Sequence, residues 1–199
     1  MEGLFFYWIT WMTWVYSTFI MKKDSKRLLL SLFFLVIIII SPYSFFVGPI
    51  HVNFTVILVL FVSYMFIIKK TIGQLVYLLL CTLTITIAYV SFHLFELFDP
   101  IWLFVDRMWM LTFALVYLTL LLIKDSSTRV ACILIGCSQG EMLYGIVLSK
   151  FRFNYEIGGF AFLDVVALST IIVFLWMKLE DMVHYFDVFF QKHTKEKQG

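Results

Sequence analysis

The sequence predicts an all-α fold, a polytopic transmembrane bundle of about seven helices. Hydrophobic residues make up 62% of the chain and charged residues only 14%, a composition that does not fit an ordinary soluble domain. Apolar segments of near-constant length follow one another, and each has the roughly 20 residues that a helix needs to cross a bilayer. Basic residues occupy every second joint between the segments, which predicts that the helices alternate in direction.

The apolar segments account for most of the chain and are separated by short polar joints. No joint is long enough to fold by itself, so we expect one transmembrane domain over residues 1–178. Residues 179–199 carry apolar side chains at helical spacing opposite acidic ones, which predicts an amphipathic cytoplasmic tail. This tail would lie along the membrane surface or bind a cytoplasmic partner. The seven predicted spans are 3–21, 28–47, 50–68, 72–92, 101–123, 130–149 and 159–177.

The distribution of basic residues predicts the orientation of the chain. The joints on one side hold most of the 15 lysines and arginines, whereas the joints on the other side hold only Lys150 and Arg152. Because cytoplasmic loops are enriched in basic residues, we expect the amino terminus outside and the carboxyl terminus in the cytoplasm. The basic side comprises Lys22, Lys23, Lys26, Arg27, Lys69, Lys70, Lys124, Arg129, Lys178, Lys192, Lys195 and Lys197.

Ionisable residues fall at similar depths inside three of the spans. Counted from the predicted outer ends, Asp106, Arg107 and Asp164 lie about 8 Å down their helices, and Glu141 lies about 12 Å down its own. An isolated charge there costs several kcal/mol, so we expect Arg107 to pair with Asp164 or Glu141. One guanidinium cannot neutralise three carboxylates, and at least one acid should be protonated, hydrated or paired with a cation. The cluster is therefore either a structural ion pair or a working proton, ion or substrate site.

Small and polar residues surround Glu141 in the sixth segment. Gly136 and Gly140 form a small-xxx-small pair that lets another helix, or a second copy of the chain, approach closely. The alternative is a locally broken helix that exposes its backbone to a ligand, as in some transporters. Gln139, next to Glu141, fits either arrangement.

A second polar group is predicted at the outer mouth of the bundle. His93 and Glu96 stand three residues apart and share a helical face, and Asp99 follows them in the next joint. These side chains could hold a metal ion or a proton, or they could be hydrated loop residues. Because the region offers only His93 and His51 and no repeated ligand motif, no metal site is predicted.

Signatures of enzymes and cofactor-binding proteins are sparse. We find no His-Glu-x-x-His, no phosphate-binding glycine loop and no Cys-x-x-Cys, so neither a catalytic activity nor a cofactor is predicted. The three cysteines, Cys81, Cys132 and Cys137, lie in apolar segments and are expected to be buried and unpaired. The net charge of +2 does not indicate a nucleic-acid partner.

Several features together resemble the YphA-type family of small multi-pass membrane proteins from endospore-forming Bacillus relatives. They are residues 1–12, the pair Lys22 and Lys23 after the first span, the length of 199 residues and the late turn at 158–160. The resemblance covers nearly the whole chain. It implies a protein of the bacterial cell membrane that is connected with sporulation and spore-envelope assembly. It brings no catalytic residues, so the proposed polar cluster rests on this sequence alone.

Three functional classes remain open from the sequence. The first is a non-enzymatic membrane component that scaffolds or helps to assemble envelope factors, which the short loops and sparse motifs favour. The second is a small proton- or ion-coupled transporter with its polar site in the outer half of the bundle. The third is an intramembrane enzyme. The expected partners are the lipid bilayer, another membrane protein or a second copy of the chain, and a cytoplasmic protein at the tail.

Overall fold

The computed structural model describes residues 2–48, 50–68, 70–99, 101 and 105–196, with the side chains of 127 and 186–196 left aside. The chain is 80% helical, so the predicted helical class is confirmed. In the described residues the helices are α1 (Leu4–Val15), α2 (Ser25–Ile40), α3 (Phe54–Ile67), α4 (Ile72–Phe98), α5 (Arg107–Leu122), α6 (Ser126–Lys150) and α7 (Phe160–Glu196). A π-helical turn at Tyr16–Ile20 extends α1. The strands are β1 (Ser44–Val47), β2 (Ile50–Asn53) and β3 (Glu156–Ile157).

The small sheet was not predicted, and it shortens two of the expected spans. β1 and β2 pair antiparallel, and β3 adds to β2 in parallel, giving the order β1-β2-β3. The predicted second span, 28–47, therefore ends as a helix at Ile40, and the predicted third span, 50–68, begins as a helix only at Phe54. Pro42 cannot continue α2, and Gly48 begins the hairpin turn with φ +61°. A continuous apolar run does not reveal such a change, because buried helices and short strands look alike in it.

In the part of the chain that the structure describes, three helices are long and apolar enough to cross a membrane. They are α4, the Thr128–Lys150 part of α6 and the Phe160–Tyr185 part of α7, while α3 and α5 are shorter apolar helices. Within the described residues of the predicted fifth span, 101–123, the α-helix begins at Arg107, and residues 102–104 lie outside the described part of the chain. The count of seven crossings stays a prediction.

Contacts at one end of the bundle bring together the beginnings of odd-numbered helices and the ends of even-numbered ones. Asp164 near the start of α7 accepts hydrogen bonds from the start of α1, at Gly3. The Tyr7 hydroxyl of α1 is 2.9 Å from the Ser41 hydroxyl at the end of α2. The strands join α2 to α3 and precede α7 at this same end. We call it the sheet end.

The opposite end of the bundle carries basic side chains that tie neighbouring helices together. Arg27 of α2 donates to the Thr18 carbonyl at 3.3 Å, and Lys70, after α3, lies 2.9 Å from Asp125, before α6. We call this the basic end. The helices therefore alternate in direction, in line with the charge pattern, while the side of the membrane that each end faces stays a prediction.

Arg129 makes the most buried contacts of the basic end. Its Nε donates to the Ile123 carbonyl at 2.7 Å, and one terminal nitrogen donates to Glu180 Oε2 at 2.5 Å. The second oxygen of Glu180 accepts from Trp176 Nε1 at 2.7 Å. One guanidinium thus joins the end of α5, the start of α6 and the middle of α7.

Helix α7 does not stop where the sequence suggests that its span ends. It runs for 37 residues, about 55 Å, well beyond the roughly 30 Å of a hydrocarbon core. The predicted boundary between a domain at 1–178 and a tail at 179–199 therefore falls inside one continuous helix. The apolar stripe predicted for the tail lies mostly on side chains outside the described residues.

Close packing of α4 against α6 depends on two glycines. A Cβ atom added at Gly136 would lie 2.5 Å from Cγ2 of Ile85, and one added at Gly140 would lie 2.8 Å from Cβ of Tyr89. Both distances are shorter than side chains tolerate, so these positions let the two backbones approach. Helix α6 also packs on α3 and α7, which leaves its polar residues inside the bundle.

Candidate functional site

Glu141 lies at the centre of the polar interior, near the sheet end. It is fully buried, and its carboxyl group has three hydrogen-bond donors. The Tyr89 hydroxyl of α4 donates to Oε2 at 2.6 Å, while the Tyr155 hydroxyl and the Gly158 N–H reach Oε1 at 2.8 and 3.0 Å. A buried carboxylate with several donors is far less costly than an isolated one. We call Glu141, Tyr89, Tyr155 and Gly158 the Glu141 centre.

The loop between α6 and α7 supplies two of the three donors. Gly158 has φ +78°, a conformation that favours glycine, and a Cβ added there would lie 2.9 Å from Val56. Burial, and then the charge of Glu141, raise the pKa of the Tyr155 hydroxyl, so this group keeps the proton that it donates. Gly145 of α6 lets Ile157 come close, since a Cβ would lie 2.3 Å from it. The loop is thereby held over Glu141.

A row of aromatic and titratable side chains leads from the Glu141 centre towards the surface. The His93 ring is stacked on Tyr144 at 4.9 Å and lies 4.6 Å from Tyr89, measured between ring centres. His93 Nδ1 is 3.4 Å from Glu96, whose other oxygen is 3.5 Å from the half-exposed Arg107. His93 Nε2 is buried and has no hydrogen-bond partner among the described residues.

The expected pairing of Arg107 with Asp164 or Glu141 is wrong. Within the described residues, the acid that pairs with Arg107 is Glu96. Asp164 instead accepts from Gly3 N–H at 2.6 Å and Phe6 N–H at 2.7 Å, so it caps the first turn of α1. The cause is that exposed backbone donors at a helix start satisfy a carboxylate as well as a guanidinium does.

The other members of the predicted cluster also lie apart from one another. Asp106 caps α5 by accepting from Met108 N–H at 3.0 Å, and it is exposed. Gln139 donates to the Tyr64 hydroxyl of α3 and lies 3.3 Å from the Thr86 hydroxyl of α4. It therefore links three helices without contacting Glu141 through a hydrogen bond in the described part of the chain.

The predicted outer mouth is divided between the interior and the surface. His93 is buried, with 8% of its surface exposed, whereas Asp99 is exposed and accepts from Ile101 N–H at 3.1 Å. Glu96 lies between them as the ion-pair partner of Arg107. In the residues that the structure covers, no group of three or more His, Cys, Asp or Glu side chains is arranged to hold a metal ion. The three cysteines are buried and unpaired.

Residues 136–140 match the Gly-x-Ser-x-Gly pattern of serine hydrolases. That pattern forms a nucleophile elbow only at a sharp turn between a strand and a helix. Here it lies in the middle of α6, and Ser138 is fully buried without a hydrogen-bond partner in the described residues. The glycines serve helix packing instead.

The long apolar helices, the exposed apolar side chains and the sealed polar interior define a helical integral membrane protein. The chain belongs to the YphA-like integral membrane protein family, whose model matches residues 2–199. It is similar to YphA of Bacillus subtilis (strain 168), with 27% identity over 203 residues that cover 100% of this chain and 98% of that protein. No solved structure matches the chain. The predicted family and the bacterial membrane location are confirmed.

Sequence reasoning missed the donors of the Glu141 centre. Tyr89 and Tyr155 count as aromatic residues in a hydropathy pattern, and nothing in their spacing marks a hydroxyl that faces an acid. Gly158 was part of a predicted turn, but a turn does not reveal where its N–H group points. A useful signal would have been that a buried acid needs donors of any kind, including hydroxyl and backbone N–H groups.

Proposed function

We propose that this protein is a structural component of the cell membrane that holds or helps to assemble other envelope components. The observation that supports this proposal is that Glu141 and Asp164 bind donors within their own chain. A transport or catalytic acid needs an acceptor position that a substrate, ion or water can reach. Glu141 is fully buried beneath the loop, and Asp164 is used by the start of α1.

On this proposal each of the two acids stabilises the fold by linking separate segments of the chain. Glu141 connects α6 to α4 and to the loop before α7, and Asp164 connects α7 to α1. Each acid accepts hydrogen bonds from backbone N–H or hydroxyl groups that would otherwise be unsatisfied in an apolar environment. The connection with sporulation and spore-envelope assembly rests on the family resemblance alone.

The proposal is tested in a deletion strain complemented with single variants, with membrane protein abundance measured beside the phenotype. Glu141→Gln and Asp164→Asn should lower abundance, and the phenotype should follow abundance. Arg107→Ala should remain abundant and active, because this side chain is half-exposed and its contact is long. If Glu141→Gln is as abundant as the parent but behaves like the deletion, Glu141 has a working role and the structural proposal fails.

A second candidate is a proton-coupled carrier, and the unpartnered His93 Nε2 favours it. A buried imidazole nitrogen that has no hydrogen-bond partner among the described residues, next to Glu96 and the ring of Tyr89, is a suitable place for a transferable proton. Purified protein in liposomes with an internal pH dye should then carry protons, and His93→Asn should stop them. No flux above that of empty liposomes would eliminate this candidate.

A further inference from the structure

The small sheet carries a polar group that the proposed structural role does not use. Ser44 lies on β1, His51 on β2 and Glu156 on β3. In the sheet register, Ser44 stands opposite Asn53, and His51 stands opposite both Phe46 and Glu156. Residues directly opposite one another, and those two apart on a strand, share a face. Three chemically different side chains are thus collected on one face by three strands.

The atoms that face one another are those of a nucleophile, a base and an acid. Ser44 Oγ lies 2.8 Å from His51 Nε2, and His51 Nδ1 lies 3.9 Å from Glu156 Oε2. In serine hydrolases the base uses Nε2 towards the serine and Nδ1 towards the acid, as here. The acid contact is longer than a hydrogen bond, as such contacts often are before substrate binds. Phe46 is stacked on His51 at 4.5 Å and holds the imidazole in its plane.

Strand β1 also offers a donor for a developing oxyanion. It is the outer strand of the sheet, and Phe54 N–H donates to the Tyr43 carbonyl. Hydrogen-bonded pairs alternate along antiparallel strands, so the next pair, Ser44 with Asn53, is not bonded through its backbone. The N–H group of Ser44 therefore points to the open edge of β1, beside its own hydroxyl. A donor at that position can stabilise the charge on a carbonyl oxygen under attack.

The surroundings of the group indicate its substrate. The side chains of His51 and Glu156 are 30% and 42% exposed, so a substrate can reach them. Phe46 is 75% exposed, lies on the same face as Ser44 and borders the His51 ring directly. We propose that Ser44, His51 and Glu156 form an acyl-transfer site that hydrolyses esters with an apolar acyl group.

The reaction balances without a cofactor. The Ser44 hydroxyl gives its proton to His51 Nε2, and its oxygen bonds to the ester carbonyl carbon. The bond from that carbon to the alcohol oxygen breaks, and the alcohol leaves with the proton from His51. Water then follows the same route, which releases the carboxylic acid and restores the serine. The sum is ester plus water giving acid plus alcohol, with Glu156 orienting His51 throughout.

The first test uses the intact parent protein in detergent micelles and a fluorescent fluorophosphonate, followed by peptide mass spectrometry. The native protein should be labelled at Ser44, and heat-denatured protein should not be labelled. Ser44→Ala should remove the label, and His51→Gln should slow labelling by about 100-fold or more. Ser31→Ala is the matched control, since Ser31 is partly exposed on α2 and, among the described residues, its hydroxyl donates to the Leu28 carbonyl of its own helix turn. It should leave labelling unchanged.

The second test separates catalysis from a structural hydrogen bond between Ser44 and His51. p-Nitrophenyl butyrate should be hydrolysed faster than the acetate, and Ser44→Ala should abolish both rates while its thermal midpoint stays close to that of the parent. Absence of label at Ser44 in the native protein, equal labelling in His51→Gln, or equal ester hydrolysis by Ser44→Ala would each overturn the site. A positive result would make the expectation of a non-enzymatic protein wrong and would leave the role of Glu141 untouched.

Discussion

At the scale of single residues, hydrogen-bond donors rather than opposite charges decide where the buried acids lie. The carboxyl group of Glu141 accepts from several donors at once, with a hydroxyl on each oxygen and an N–H group on one of them. The donors come from α4 and from the loop between α6 and α7, and losing any one leaves a polar group without a donor in an apolar interior. The penalty for such a group exceeds the gain from an ordinary hydrogen bond.

Removal of one tyrosine hydroxyl tests this account. Tyr155→Phe should lower the free energy of unfolding by about 1–2 kcal/mol, because the buried Glu141 loses a donor at 2.8 Å. Tyr144→Phe is the matched control: its ring stacks on His93, and its hydroxyl does not belong to the Glu141 centre. Thermal unfolding of the purified proteins in one detergent gives the comparison. Equal losses in both variants would mean that the hydrogen bond from Tyr155 to Glu141 has no specific stabilising effect.

At the scale of helices, α1 depends on a side chain that lies far away in the sequence. The residue before it, Gly3, has φ +89° and offers no side-chain cap. Asp164 of α7 supplies the missing acceptor for two N–H groups and places a negative charge at the positive end of the α1 dipole. At the other end, Arg129 similarly links α5, α6 and α7. Helix ends, not only helix faces, therefore hold this bundle together.

An amide at position 164 should loosen α1. Asp164→Asn replaces one acceptor oxygen by a donor and removes the charge, so we expect a loss of about 1–3 kcal/mol in unfolding free energy. Faster amide hydrogen exchange in the first turns of α1 should accompany it. Asp181→Asn, on the exposed side of the same helix, removes only a surface pair with Lys178 and should change neither quantity. Unchanged exchange in α1 would contradict the capping role.

At the scale of the whole molecule, the two ends of the bundle differ in charge. Arg27, Lys70 and Arg129 lie at the basic end, whereas Lys150 ends α6 and Arg152 follows it at the sheet end. The sheet end also holds the Ser44 group. If the positive-inside rule applies, the sheet faces the outside and α7 extends into the cytoplasm.

Cysteine labelling in whole cells tests that orientation. Because the three native cysteines are buried, a new surface cysteine can be read against a low background. Arg152→Cys should react with a membrane-impermeant maleimide in intact cells, whereas Lys178→Cys should react only after permeabilisation. Both positions are exposed, so a difference reports the side of the membrane and not burial. The reverse pattern would invert the predicted topology.

The sequence predicts the helices and their directions better than it predicts individual side-chain contacts. Apolar length and charge alternation are enough to predict helices that alternate in direction, and Gly136 and Gly140 mark a close approach. Counting residues down each helix also places Glu141 and Asp164 at the same end of the bundle. Such a count does not show which helices are neighbours or which way a side chain faces, so the predicted partner of Arg107 is wrong. The strands were missed because an aromatic and β-branched run next to a Gly-Pro pair reads equally well as part of a span.

The cap on α1 has a consequence for how the protein is made. A ribosome delivers the chain from its amino end, and 158 positions separate Phe6 from the carboxylate that completes its helix. Every nascent chain therefore passes through a stage in which its first helix is in place but unfinished. Translation products that end before residue 164 should be recognisable to membrane proteases by that loose start, which would make the final helix a checkpoint for the first.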